Sequence, residues 1–273
     1  MHAYVTLVML GDKYVDGAIG LAKSLRLINT TADLVCMVTS DVSQGSLIRL
    51  QQLYTHVIYV DFISFPCPPM LTKRQNQMYG PWINHAFTKW QCLKLTQYEK
   101  IIYLDADHLV VKNIDHMFML KAPAVCFTDE NYGYYDDLKV GTIISPKMIS
   151  NFMKHNKILC KAGTILLRPN IKMYRTLLSL IGPHNPLLNK CQYHNGFDEQ
   201  VLLQTIVKMN ISVTQLCVLY AWNAGSYQRL RKNHEPFVIN YYGDKKPWDT
   251  DDDSVCEYMD VYIWKYLFNK TIN

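Results

Sequence analysis

Ile101-Ile102-Tyr103-Leu104-Asp105-Ala106-Asp107-His108-Leu109-Val110-Val111 (IIYLDADHLVV, residues 101–111) sets two carboxylates between two apolar runs. The first run reads as a buried strand that stops abruptly at charged Asp105. In open α/β sheets ligands bind outside the carboxyl ends of strands, so the place of these acids matters as much as their type. Carboxylates two residues apart can converge on one hard cation once the backbone leaves the extended conformation. Mg²⁺ and Mn²⁺ favour such oxygen ligands and accept phosphate oxygens for the rest of the shell. The same spacing recurs at Asp249, Asp251 and Asp253 in DTDDD, but no apolar frame surrounds it and it reads as a solvated loop.

Upstream, strand and helix signals alternate. Residues 3–9 form a β-rich run, Gly11-Asp12 a turn, and Ala18, Leu21, Leu25 and Ile28 repeat at helical spacing. A buried strand over 34–39, a polar helix over 43–54 and a short strand over 57–60 complete a βαβαβ series. That series implies a parallel sheet with right-handed crossovers. Pro66, Pro68, Pro69 and Pro81 then mark a long connection of the kind that is often functional. Helix resumes near Ala86.

Downstream, NYGYYDD (131–137) is loop-like, 164–167 a strand and 171–181 a helix. Another helix opens near Asp198, where Asp198 and Glu199 suit the positive end of the helix dipole. A late strand covers 237–241, and a last helix runs over 258–268. The expectation is one α/β domain over residues 1–250, with an acidic loop and helix over 251–273 packed upon it. In VINYYGDKKPW (238–248) the late strand leads to Gly243 and Lys246. Glycine permits close approach of backbone to a phosphate, and lysine adds a point charge.

Composition narrows the function classes. The chain has 273 residues, 49% of them hydrophobic and 19% charged, enough apolar surface for a core and too much for a disordered chain. The net charge of +5 is scattered rather than gathered into an arm, and no RNA-binding signature accompanies the 19 tyrosines, so nucleic acid is not the expected partner. MHAYVTLVML carries no signal-peptide pattern, and no apolar stretch reaches the roughly 18 residues of a membrane span. Eight cysteines show no CxxC or Cys/His metal spacing and several lie in apolar runs, which fits a reducing compartment. A soluble, cytoplasmic protein is expected. Neither a Ser/His/Asp arrangement nor a Walker A loop is present.

Four blocks, AYVTLVMLGDKYVDGAIGLAKSL (3–25), FTKWQCLKLTQYEKIIYLDADHLVVKNID (87–115), AGTILLRPN (162–170) and GDKKPW (243–248), carry a resemblance. Their order resembles that of glycosyltransferase family 8, to which glycogenin and galactinol synthase belong. The resemblance implies a single Rossmann-like domain of GT-A type with a central, mostly parallel sheet. It also implies retaining transfer of a hexose, glucose or galactose, from a UDP-sugar with Mn²⁺, Mg²⁺ being an alternative. Carried over by position, Leu7 and Tyr14 would hold the uracil, Asp105 the ribose and the metal, and Asp107 the metal. Lys89 would orient donor phosphate or sugar, and Gly243 and Lys246 would grip the diphosphate. The pair that reads the sugar resembles Glu199-Gln200, with Asp198 as the alternative register.

This sequence departs from the family pattern at three places. Asn240 stands where a metal-binding histidine is expected, leaving an amide oxygen as the third ligand. Lys161 replaces an amide that meets the donor sugar. Leu230 stands where a self-glucosylated tyrosine would lie, with Tyr227 nearby. His108 reads as a residue that packs or hydrogen-bonds locally. The acceptor, whether glycan, polyol or protein, is not legible, and a homodimer is compatible with the resemblance. The competing expectation is a catalytically weakened protein that binds the nucleotide-sugar and acts through another macromolecule.

Overall fold

The computed structural model describes residues 1–129, 139–155, 158–189, 196–226, 235–243, 245–249 and 259–271. The first half builds β1 (His2–Val8), α1 (Val15–Leu27), β2 (Asp33–Val38), α2 (Gln44–Gln51) and β3 (His56–Tyr59). Then follow α3 (Lys73–Tyr79), a run of 3₁₀ turns over Ile83–Lys94, β4 (Lys100–Leu104), β5 (His108–Val110) and β6 (Ala124–Asp129). The second half adds β7 (Ile143–Ile144), α4 (Pro146–His155), β8 (Ile158–Leu167), α5 (Ile171–Leu178) and α6 (Phe197–Lys208). It closes with β9 (Val213–Gln215), β10 (Trp222–Asn223), β11 (Val238–Asn240) and α7 (Met259–Asn269).

Local chemistry sets several of these boundaries. The Ser43 hydroxyl accepts from the Ser46 N–H at the start of α2, and Asn170 Oδ1 accepts from the Met173 N–H at the start of α5. Thr72 and Gln75 form a reciprocal capping box that opens α3 inside the proline-marked connection. The helix expected near Ala86 is of 3₁₀ type and covers Ile83–Lys94, and the strand expected over 164–167 begins already at Ile158.

Eight described strands form one mixed sheet in the order β3-β2-β1-β4-β8-β6-β9-β7. The β3-β2-β1-β4 half is parallel, as the βαβαβ series requires. Beyond it β8 runs antiparallel to both β4 and β6. Side chains alternate across β1: Ala3, Val5 and Leu7 enter one core with Phe87, Trp90, Ile165 and Leu202. Tyr4 and Val8 enter the other with Leu21, Leu25 and Leu50.

A second sheet, β10-β11-β5, is small, and its position decides the site. The chain leaves the large sheet at Asp105, whose N–H donates to the Gly163 carbonyl at 2.9 Å, and enters the small one at His108. Asp105, Ala106 and Asp107 are therefore the crossover between two sheets. On the outer side α7 lies against α1, where Lys23 Nζ donates to the Phe268 carbonyl and Trp264 stacks on Phe268 at 4.6 Å. No helix among the described residues is long and apolar enough to cross a membrane. Cys36, Cys92 and Cys126 are buried free thiols. Residues 131–137, Thr250 to Asp253, Tyr227 and Leu230 lie outside the described residues.

Candidate active site

A cleft of about 600 Å³ opens beside the carboxyl ends of β1 and β4 and is lined by Asp105, Asp107 and His108 from the crossover. Of the residues named from sequence, Leu7, Tyr14, Lys89, Asp105, Asp107, Asp198, Glu199, Asn240, Gly243 and Lys246 all line it. Gln200 is buried and is not among the lining residues. On the first turn of α6 each residue rotates by about 100°, so a helix that turns Asp198 and Glu199 to the cleft carries Gln200 away from it. The structure thus presents the alternative register, Asp198-Glu199, to the cleft.

Two ion-paired arms extend from the crossover. In the first, Lys89 Nζ sits 3.0 Å from Asp198 Oδ2 and 3.4 Å from Asp105 Oδ1, with its side chain only 10% exposed. Burial alone would favour loss of its proton, but Asp105, Asp198 and Glu199 outweigh that and hold the ammonium well above the ordinary lysine range. Glu199 is displaced the other way: burial and then the neighbouring Asp198 charge raise its carboxyl well above the usual range.

In the second arm Lys246 Nζ donates to Asp107 Oδ2 at 2.7 Å and to the Tyr241 carbonyl at 2.8 Å. Burial works against both charges, yet Lys246 and then His108 pull the Asp107 carboxyl well below the usual range, and Asp107 raises Lys246 in turn. The same ammonium lies 5.6 Å over the Tyr14 ring, which meets Trp248 edge-on at 5.7 Å. Gly243, at the foot of this arm, has φ +125°, a conformation that side-chain-bearing residues rarely adopt.

Asp105, Asp107 and His108 each offer a ligand atom, and these atoms lie within 4.8 Å of one another. Two carboxylates and an imidazole suit a divalent ion such as Mn²⁺. Residue 163 packs so closely on this cluster that it must be glycine: a Cβ there would stand 2.8 Å from Asp105 Oδ2 and 2.9 Å from His108 Nε2, nearer than such atoms pack. Asn240 lies on β11 directly opposite His108, and its amide reaches Asn223 Oδ1 at 3.4 Å.

For three features the structure supplies partners that the sequence does not name. Lys161 Nζ donates to the Ala221 carbonyl at 2.9 Å and Asn223 Oδ1 at 3.0 Å, and burial lowers its pKa to about 8. The proline-marked connection supplies a wall of the cleft through Met70, α3 and Trp82, and the Tyr79 hydroxyl bonds that of Tyr242 across it. The prolines signalled this wall without indicating which side chains it presents. His108 hydrogen-bonds locally, as expected, with Nδ1 3.1 Å from Asp107 Oδ1, and this contact joins it to the acidic cluster.

The chain matches the profile of Glycosyl transferase family 8 over residues 5–252 and belongs to that family. It is 32% identical over 254 residues to an uncharacterised protein of Acanthamoeba polyphaga mimivirus, a match covering 91% of this chain and 83% of that one. It is 34% identical to Glycogenin-1 of Caenorhabditis elegans over 254 residues, 90% of this chain and 51% of the relative, so it spans about half the glycogenin's length. Among solved structures, the galactosyltransferase LgtC in complex with donor and acceptor sugar analogues superposes with TM-score 0.58. That match has 15% identity and covers 99% of this chain and 97% of LgtC, a likeness of fold.

Proposed function

We propose that this family 8 glycosyltransferase moves a hexose, glucose or galactose, from a UDP-sugar to a hydroxyl acceptor with retention of configuration and in dependence on Mn²⁺. The observation that carries this reading is one cleft joining a cation-ligand cluster, Asp105, Asp107 and His108, to a phosphate-suited lysine and a buried carboxylate pair. Residues 1–250 span the transferase domain in this reading, and α7 of the segment 251–273 packs upon it.

Leu7 and Tyr14 accept the uracil, and Lys246 with the backbone at Gly243 takes the diphosphate. Asp105 and Asp107 would hold the ion, with the Asn240 amide oxygen as the third ligand inferred from the family pattern. When bound, it would supply a Lewis acid that offsets charge on the leaving diphosphate. Lys89 fixes Asp198, and the Asp198-Glu199 pair receives donor hydroxyls. Retention follows from transfer on the face that the diphosphate leaves, with a phosphate oxygen of the donor taking the acceptor's proton. The acceptor is a glycan, polyol or protein hydroxyl.

The test is UDP release from a panel of UDP-sugars with Mn²⁺, repeated with Asp107→Ala. Loss of turnover in the variant is expected, and equal rates would end the assignment of the cation to Asp107. A second reading, a nucleotide-sugar binder with weakened catalysis, draws on the Lys246–Asp107 ion pair and on Lys161 in the cleft. Calorimetry would show tight UDP binding with no turnover of any sugar in the panel.

A further inference from the structure

We infer that Trp248 is a positioning residue for the nucleotide-sugar: from outside the cleft it clamps the loop that carries Gly243 and Lys246 onto the turn that carries Tyr14. The inference rests on the reading of Tyr14 and Lys246 as the uracil and diphosphate groups of one donor site.

The first support is the short turn that joins Trp248 to Lys246. Pro247–Asp249 is a 3₁₀ turn closed in both directions: the Asp249 N–H donates to the Lys246 carbonyl at 3.0 Å, and the Lys246 N–H donates to Asp249 Oδ2 at 3.2 Å. Proline at its first position fixes one backbone angle as well. Little freedom remains between the two residues, so whatever holds the indole also holds the base of the lysine.

The second support is the seat of the indole. Its Nε1 donates to the Lys13 carbonyl at 2.9 Å, and its far edge lies on α1 at Gly17, where a Cβ would stand 2.5 Å from Trp248 Cη2 and 2.9 Å from Cζ3. Lys13 and Gly17 are about one helical turn apart, and the ring spans them. Tyr14 lies within that span and meets the indole edge-on, while Lys246 Nζ stands over the Tyr14 ring. Tyr14 and Lys246 line the cleft and Trp248 does not, so of the three contacting side chains the indole stands outside. A Cβ at residue 17 would also stand 2.5 Å from the Ala106 carbonyl. The acidic crossover, the start of α1 and the Lys246 loop therefore converge on one glycine.

The third support is the backing of the ring. Buried Trp264 of α7 lies 5.5 Å from Trp248 and is stacked on Phe268. Its own Nε1 packs on α1 at Gly20, 2.7 Å from where a Cβ would be. Through this contact α7 braces a donor site whose cleft it does not line.

UDP must satisfy Tyr14 and Lys246 at once, whereas uridine and inorganic pyrophosphate each engage one of them. A residue that sets the spacing of the two groups matters most to the molecule that spans both. Calorimetry with UDP and Mn²⁺ is compared with titrations of uridine and of pyrophosphate followed by nuclear magnetic resonance. Trp248→Ala should weaken UDP binding by about tenfold to a hundredfold. Each fragment should lose less than about threefold, because neither depends on the spacing. Trp248→Phe keeps a ring on Gly17 and should recover most of the affinity for UDP. Should Trp248→Ala fail to fold, fluorescence decides: the emission change on adding UDP to wild type should be largely lost in Trp248→Phe. Unchanged UDP affinity in Trp248→Ala, an equal loss for UDP and both fragments, or an emission change that persists in Trp248→Phe would overturn the role of Trp248. Absence of UDP binding by wild type in the presence of Mn²⁺ would instead remove the donor-site reading on which the inference depends.

Discussion

Lys246 Nζ lies 2.7 Å from Asp107 Oδ2, so the lysine suited to a diphosphate is docked on the carboxylate suited to a cation, across 139 residues of sequence. Lys246 thereby occupies one oxygen of the candidate metal site and must share or yield it when a cation arrives. Removing one member of a buried pair strands the other, at a cost of about 3–5 kcal/mol. Lys246→Met should lower the melting temperature, and Mn²⁺ should recover more of that loss than it adds to wild type, because the ion replaces the missing charge. UDP affinity should fall in the same variant. A melting temperature that does not move, with or without Mn²⁺, would show that the pair is dispensable.

Lys89 holds Asp198 at 3.0 Å inside a nearly closed pocket, and Asp198 is only 4% exposed. Lys89→Met leaves that carboxylate beside Glu199 with no cation between them, so a loss of about 3–5 kcal/mol in urea unfolding is expected. Adding Asp198→Asn should return a substantial part of the stability and none of the turnover. A double variant no more stable than the single would place the function of Lys89 elsewhere.

Glu199 predicts a pH dependence. Its folded pKa lies above the unfolded value of 4.5 because of burial and Asp198. Between those two values the folded chain keeps a proton that the unfolded chain has released, so stability falls as pH rises. Glu199→Gln removes this slope. The variant should melt higher than wild type at neutral pH, and the difference should shrink to nothing near pH 4. A difference that stays constant from pH 4 to 8 would contradict the assignment.

Lys161 gives the opposite profile. Burial lowers its pKa to about 8 from 10.5, so between these values the unfolded chain binds the proton that the folded chain has lost, and wild-type stability rises with pH. The span corresponds to about 3 kcal/mol. Lys161→Met should flatten this rise in melts at pH 7 to 10.5. The ammonium also lines the cleft, where it would attract a carboxylate on the donor sugar. UDP-glucuronate should bind wild type more tightly than UDP-glucose, and Lys161→Met should cancel that preference by about tenfold. Equal binding of the two donors by wild type would exclude contact between Lys161 and the sugar.

The parallel half of the sheet was legible because β1 to β4 announce themselves by apolar runs and turn residues a few positions apart. The antiparallel half was less so: β8 is ten residues long, yet Lys161, Ala162 and Gly163 split it into two short apolar runs, of which only the second reads as a strand by itself. The 3₁₀ run from Ile83 to Lys94 was read as ordinary helix, since apolar spacing alone barely separates the two. Leu7, Tyr14, Asp105, Asp107 and Lys246 were all placed in one cleft, having been identified through ordered blocks rather than by any single motif.

That a buried strand runs into Asp105 and Asp107 at the edge of an α/β sheet is legible from residue order alone. Periodicity and charge act between neighbours and are written in neighbours. That α6 turns Asp198 and Glu199 inward and carries Gln200 away, and that Lys246 rests on Asp107, follows from the folded arrangement and from nothing local. It alone set His108 opposite Asn240. Those relations depend on helix rotation, strand order and register between segments far apart in the chain, which are fixed by how the two faces of the sheet are buried and by no local pattern of residues.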